Sequence, residues 1–138
     1  LNKIVVDASV ILKWVLVKDS ESDFSAAFEI LNNFTDEKID IHLPEIWKYE
    51  VGNILAIKAP GQAVELMEVL MDYTFSEYSL KKEDCVEIIK LQGKIDASTF
   101  YDVAYHYVAM KINGILITVD KKYFDSAKHL GHIELLAS

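Results

Sequence analysis

The chain has 138 residues, 51% hydrophobic and 26% charged, with five Gly, two Pro and one Cys. That describes a single globular domain, 1–138, with enough chain to bury a core, and the lone Cys85 excludes an internal disulfide. A formal charge of −8, with fourteen basic residues that are all Lys, excludes a broad basic face for polyanions. It leaves a basic protein partner, or a nucleic acid met through metal ions.

Residues 3–6 (KIVV) predict a short strand running straight into Asp7. Val10, Ile11, Trp14 and Val15 follow at helical spacing, and Asp19 to Ser22 caps a further helix to about Phe34, with Phe24, Ala27, Phe28 and Leu31 on one face. Ile39 to His42 reads as a second strand. Pro44 fits the first position of a helix running to Lys58, before the Ala59-Pro60-Gly61 breaker. A helix over Gln62–Asp72, a short strand over Thr74–Ser79 and a helix from Ser79 or Lys81 to Lys94 come next, the last with Cys85, Ile88 and Ile89 on one face. Thr99 to Ile112 is apolar or aromatic nearly all round, which marks a buried helix with Ser98 or Thr99 as its cap, and Asn113-Gly114 ends it, with Gly taking the left-handed turn. Ile115 to Val119 is a strand covered on both faces. Lys121 to Leu130 is a last helix capped by Gly131, and Ile133 to Leu136 closes the sheet. Alternating strands and helices predict an α/β domain around a mainly parallel sheet. No apolar run spans a membrane and no leader-like stretch precedes the first strand, so a cytoplasmic protein is expected.

In such sheets ligands bind beyond the carboxyl ends of the strands. Asp7 and Asp120 stand at that edge. A helix from Thr99 and the strand returning from it bring Asp102, in the helix's first turn, to the same edge. Each aspartate alone is better explained as a cap. Asp7 and Asp120 would cap the helices that follow them, and Asp102 would be the acid of a box begun by Thr99 or simply a favourable charge at the positive end of its helix. Glu50 differs, because helical spacing places it in a stripe with Ile46, Ile54 and Ile57, with no Lys or His one turn away. Asn53 offers it a hydrogen bond but no charge, so it needs a distant Lys or a metal ion. Four carboxylates held together repel by about 4 kcal/mol per pair at 4 Å and a surface-like dielectric. A cation offsets that, and an all-oxygen donor set points to Mg²⁺ or Mn²⁺ over Zn²⁺ and to phosphoryl-oxygen chemistry.

Asp7 in VVDASVILKW, Glu50 in PEIWKYEVGNIL, Asp102 in TFYDVAYHYVAM and Asp120 in ITVDKKYF together resemble the PIN-domain family, and more narrowly the VapC-type toxins of toxin–antitoxin pairs. The resemblance implies a three-layer fold with a central sheet of about five short strands. It implies a magnesium-dependent endoribonuclease, usually a homodimer, inhibited by an antitoxin with a basic C-terminal segment. Asp7, Glu50, Asp102 and Asp120 match the acidic quartet, Ser9 and Thr118 the hydroxyls beside it, and Asn53 a polar position after the glutamate. Many relatives carry Arg near the cleft, and this chain has none.

Lys13, Lys121 and Lys122 are candidates for touching substrate phosphate, with solvated surface the equal alternative. Asp125 is a candidate fifth acid, although a solvated helix position explains it better. His129-x-x-His132 has metal-ligating spacing interrupted by Gly131. His106, one turn after Asp102, suits packing better than catalysis, and Tyr101, Tyr105 and Tyr107 suit the core better than base stacking. The helical face around Val64, Met67 and Met71 is a candidate dimer surface. Two other readings stand beside the nuclease. One is a PIN fold that only docks a partner, and the other is a receiver-like signalling domain with an acidic Mg²⁺ pocket, which lacks here its acidic pair and its phosphoacceptor Asp.

Overall fold

The computed structural model describes residues 1–16 and 24–136. Five strands, β1 (Asn2–Val6), β2 (Ile39–Pro44), β3 (Ser76–Tyr78), β4 (Ile115–Thr118) and β5 (Ile133–Leu135), form one sheet in the order β3-β2-β1-β4-β5. Every pairing is parallel. Parallel neighbours require crossovers, and helices supply them. These are α1 (Ala8–Lys13), α2 (Phe24–Thr35), α3 (Trp47–Lys58), α4 (Ala63–Asp72), α5 (Lys82–Gln92), α6 (Phe100–Lys111) and α7 (Lys121–Ala127), the last running into a 3₁₀ turn at Lys128–Leu130. Consecutive strand side chains point to opposite faces, and Val5 and Val6 are both fully buried, so the central strand is covered on both sides. The result is the three-layer α/β domain expected, and its strand order is not the 2-1-3-4-5 of receiver domains.

Helix α6 is the inner helix. Every residue from Val103 to Ala109 is buried, and it packs on β1, β2 and β4 as well as on α5. The turn that follows differs in detail from expectation. Asn113 carries the left-handed backbone, at φ 58°. Gly114 is there for space, since a Cβ on it would lie 2.5 Å from the carbonyl oxygen of Lys3 on β1. Removing the side chain lets β4 enter close beside β1. Gly131, at φ 75°, ends the 3₁₀ turn in the left-handed region as a cap should.

Three other expectations are corrected. Pro44 does not open a helix; it ends β2 opposite Tyr78, and α3 starts at Trp47. The ladder to β1 has already finished at Ile41, so the missing N–H of Pro44 costs no bond on that side. Helix α3 buries Trp47, Val51 and Leu55 rather than the isoleucine stripe, and Ile57 is 71% exposed. Helix α5 turns Ile89 out to solvent, leaves Cys85 half-buried and buries Asp84 instead. Asp84 accepts from the Tyr107 hydroxyl at 2.5 Å, the Tyr78 hydroxyl at 3.3 Å and the Lys81 N–H at 2.9 Å. The Tyr107 hydroxyl and the Lys81 amide hold its carboxyl below the ordinary range, and the bonds tie β3 and α5 to α6. The Asp19–Ser22 cap lies outside the described residues. No helix among them is long and apolar enough to cross a membrane.

Candidate active site

Strand order places the site. The chain steps outward from β1 to β2 to β3, then crosses back to lay β4 on the other side of β1. The crossovers on either side of the β1–β4 boundary therefore diverge, opening a crevice beyond the carboxyl ends of those two strands. Asp7 directly follows β1, and Thr118 ends β4, with Val119 and Asp120 just beyond. The crevice is a cleft of about 820 Å³, and Asp7, Glu50, Asp102 and Asp120 all line it. Ser9, Lys13 and Tyr105 do so too, as does an apolar wall that includes Leu12, Leu16 and Ile54.

Each of the three aspartates caps a helix and also lines the cleft. Asp7 caps α1, its Oδ1 accepting from the Val10 N–H at 3.3 Å and from the Ser9 hydroxyl, while its Oδ2 accepts from the Thr118 hydroxyl. Those hydroxyls are aimed at it because each already accepts a backbone amide, Ser9 from Val119 and Thr118 from Asp120. Asp102 forms the capping box with Thr99, its Oδ2 accepting from the Thr99 N–H at 3.2 Å. Asp120 caps α7, its Oδ1 accepting from the Tyr123 N–H at 3.0 Å. Glu50 is held from across the cleft, its Oε1 accepting from the Tyr105 hydroxyl at 2.9 Å. Among the described residues Asp102 Oδ1, Asp120 Oδ2 and Glu50 Oε2 accept no hydrogen bond, and no Lys is ion-paired with any of the four acids. In Asp102 and Asp120 capping thus anchors one oxygen and leaves the other available, whereas both oxygens of Asp7 are engaged.

The electrostatics carry the mark of crowding. Burial pushes the Asp7 carboxyl up to about 6 against the bonds from Ser9, Thr118 and Val10, and the charge of Asp102 adds to the rise. Glu50 is raised by burial and then by Asp102 and Asp7, with the Tyr105 hydroxyl pulling the other way. Burial and the neighbouring Glu50 raise Tyr105 well above its usual value, so it stays a neutral donor. Three or more acids gathered as a finished ion cage are nevertheless absent among the described residues. The carboxylates share a cleft without closing on a point.

Not every candidate is brought in. Asn53 is exposed on α3 and does not line the cleft, nor do Lys121 and Lys122. Lys121 is paired with Asp125 at 3.1 Å, and Asp125 also meets Lys128, which accounts for that acid on the surface of α7. Lys13 does line the cleft, its ammonium 5.0 Å from the Phe24 ring. His106 is fully buried, donating from Nε2 to the Gly131 carbonyl at 2.7 Å and accepting at Nδ1 from Tyr123 at 2.9 Å. Burial lowers its pKa, and it is a packed neutral side chain. His132 bonds the Gly114 carbonyl and His129 is exposed, so they form no ligand pair. Of the tyrosines, Tyr105 and Tyr107 are buried and Tyr101 is 46% exposed. Lys58 and Gln62 also line the cleft, unforeseen from the sequence. Tyr105 was legible as a neighbour of Asp102, three residues along the same helix face. Lys58 was legible as two helical turns beyond Glu50.

A search of curated protein sequences finds no match. Among solved structures the chain is similar to VapBC2 from Rickettsia felis bound to a DNA fragment from their promoter, with a TM-score of 0.68 at 12% identity over 96% of this chain and 96% of that one. It is similar to PAE2754 from Pyrobaculum aerophilum, with a TM-score of 0.65 at 19% identity over 98% and 90%. It is also similar to VapC20 of Mycobacterium tuberculosis, described as a sarcin-ricin loop cleaving toxin, with a TM-score of 0.64 at 12% identity over 83% and 86%. At these identities the likeness is one of fold. The PIN-domain family model matches residues 4–130. With strands β1 to β4 and the entire acidic cleft reached by that span, the chain belongs to the PIN-domain family.

Proposed function

We propose that this chain is an endoribonuclease of the VapC toxin type, dependent on Mg²⁺ or Mn²⁺, with Asp7, Glu50, Asp102 and Asp120 as its working acids. PIN domains are generally nucleases, which supports the class. The observation that carries the site assignment is the meeting of all four acids, from four separate elements, in one cleft at the strand-order reversal.

The residues fit a hard divalent ion in chemistry. All four donors are carboxylate oxygens, three of them have an oxygen without a hydrogen bond, and Asp7 is destabilised by its own charge. The lack of a finished cage is compatible with Mg²⁺, which keeps several waters and takes few direct carboxylates. Asp7, Asp102 and Asp120 would hold the ion, and Glu50 would complete the set or orient a water. When bound, the ion supplies Lewis acidity that activates water and offsets charge growing on phosphate. The protein's own residues do the rest. Glu50 Oε2 accepts the proton of a water attacking the phosphorus in line, the P–O3′ bond breaks with O3′ taking a proton from solvent water, and 5′-phosphate and 3′-hydroxyl ends result. Ser9 and Thr118 hold Asp7 in its orientation. Lys13 and Lys58, on the cleft wall, suit flanking phosphates, a role the placement of Lys121 and Lys122 does not favour.

An antitoxin with a basic C-terminal segment suits this acidic cleft, and the VapBC2 likeness supports such a partner. Homodimerisation through α4, which exposes Val64 and Met71 beside half-buried Met67, belongs to the same proposal, as does a cytoplasmic setting. The test is cleavage of a structured RNA by the purified chain with Mg²⁺, with EDTA, and with Mn²⁺ added back. Activity should vanish in chelator and return with either ion; full activity in EDTA refutes the metal role.

A further inference from the structure

The four acids are not held alike. Asp7, Asp102 and Asp120 each accept a backbone amide, so their orientation is set by the helix they cap. Glu50 has one more rotatable bond, sits within a helix rather than at a cap, and makes one hydrogen bond among the described residues, to Tyr105. Tyr105 is 1% exposed, so its ring is fixed by the core around α6. Its hydroxyl reaches out of that core into the cleft and takes Oε1 at 2.9 Å, which leaves Oε2 without a hydrogen bond in a cleft lined also by Asp7 and Asp102, whose charges both act on Glu50. Asp102 is one helical turn earlier on α6, so the element that presents one acid also sets the direction of another.

We infer that Tyr105 is a positioning residue that locks the Glu50 carboxylate in its working orientation across the α3–α6 gap. The assignment rests on the divalent-ion reading of the cleft and adds to it a group that never touches ion or substrate. Partners that orient a ligand in this way are worth roughly tenfold or more in metal affinity.

The experiment measures Mn²⁺ binding by the loss of the free-ion electron paramagnetic resonance signal, using the full chain as wild type, Tyr105→Phe, Glu50→Gln and the double variant. Tyr105→Phe keeps the ring and its packing. It should weaken Mn²⁺ about tenfold in the presence of Glu50 and have no further effect in its absence. On RNA it should lower kcat with KM unchanged. A crystal of the wild type soaked in Mn²⁺ supplies a measurement that needs no variant to fold, and should show Oε1 still on the Tyr105 hydroxyl. Wild-type affinity in Tyr105→Phe, an equal loss in both backgrounds, or Glu50 turned off Tyr105 in the loaded crystal overturns the assignment while the metal reading stands. Failure of the wild type itself to bind Mn²⁺ overturns both.

Discussion

Replacing Asp7 by Asn should stabilise the protein when no metal is present, and only above mildly acidic pH. The Asp7 carboxyl lies at about 6 in the folded chain against an ordinary 3.8, chiefly because burial disfavours its charge. The folded state therefore holds a proton more firmly than the unfolded one. Stability is fully present below 3.8 and declines as pH rises toward 6, by at most about 3 kcal/mol. Asn removes the charge with little change of shape. Its oxygen can still accept the Val10 amide, but its NH₂ replaces one of the two oxygens that now receive the Ser9 and Thr118 hydroxyls. One mismatched hydrogen bond costs about 1 kcal/mol. Asp7→Asn in EDTA at pH 8 should thus be about 2 kcal/mol more stable, with a melting point several degrees higher. At pH 3.5 the advantage should be gone or reversed. Urea unfolding at the two pH values, with the slope compared between variants, decides it. A variant less stable than wild type at pH 8, or displaced equally at both, would mean that Asp7 bears no electrostatic burden.

Asp102→Asn should abolish RNA cleavage yet leave metal-free stability within about 1 kcal/mol, because an amide oxygen can still accept the Thr99 N–H at the start of α6. Loss of several kcal/mol in thermal unfolding would make Asp102 a structural cap alone. Gly114→Ala should destabilise by about 1–3 kcal/mol, since its methyl meets the Lys3 carbonyl at 2.5 Å and β4 must back away from β1. An unchanged urea midpoint would contradict that close approach.

What the sequence disclosed was what local pattern controls. The all-round apolar run of α6, the short Val- and Ile-rich strands and the acids closing two of them follow from periods of 3.6 and 2. What it concealed was set by neighbours far along the chain. Pro44 read as a helix opener because only pairing with Tyr78 makes it a strand residue. Two apolar stripes compete on α3, and the one carrying Trp47 took the interior, so Glu50 reaches the cleft from beside the buried face. Nothing in the local pattern of α5 singles out Asp84, whose partner Tyr107 is 23 residues away. Distances of this kind leave no trace in spacing.

The cleft's walls are drawn from the chain's opening segment, its middle, and the stretch ending at Asp120. β4 comes fourth among the strands of this sheet in chain order but sits beside the first. A chain emerging from the ribosome can lay β2 against β1 early, while Asp7 must wait for Thr118 before its second oxygen has a partner. Long-range parallel pairing of this sort is slow to form. Whatever chemistry the acids perform is therefore silent in every nascent chain that has not yet grown past Asp120.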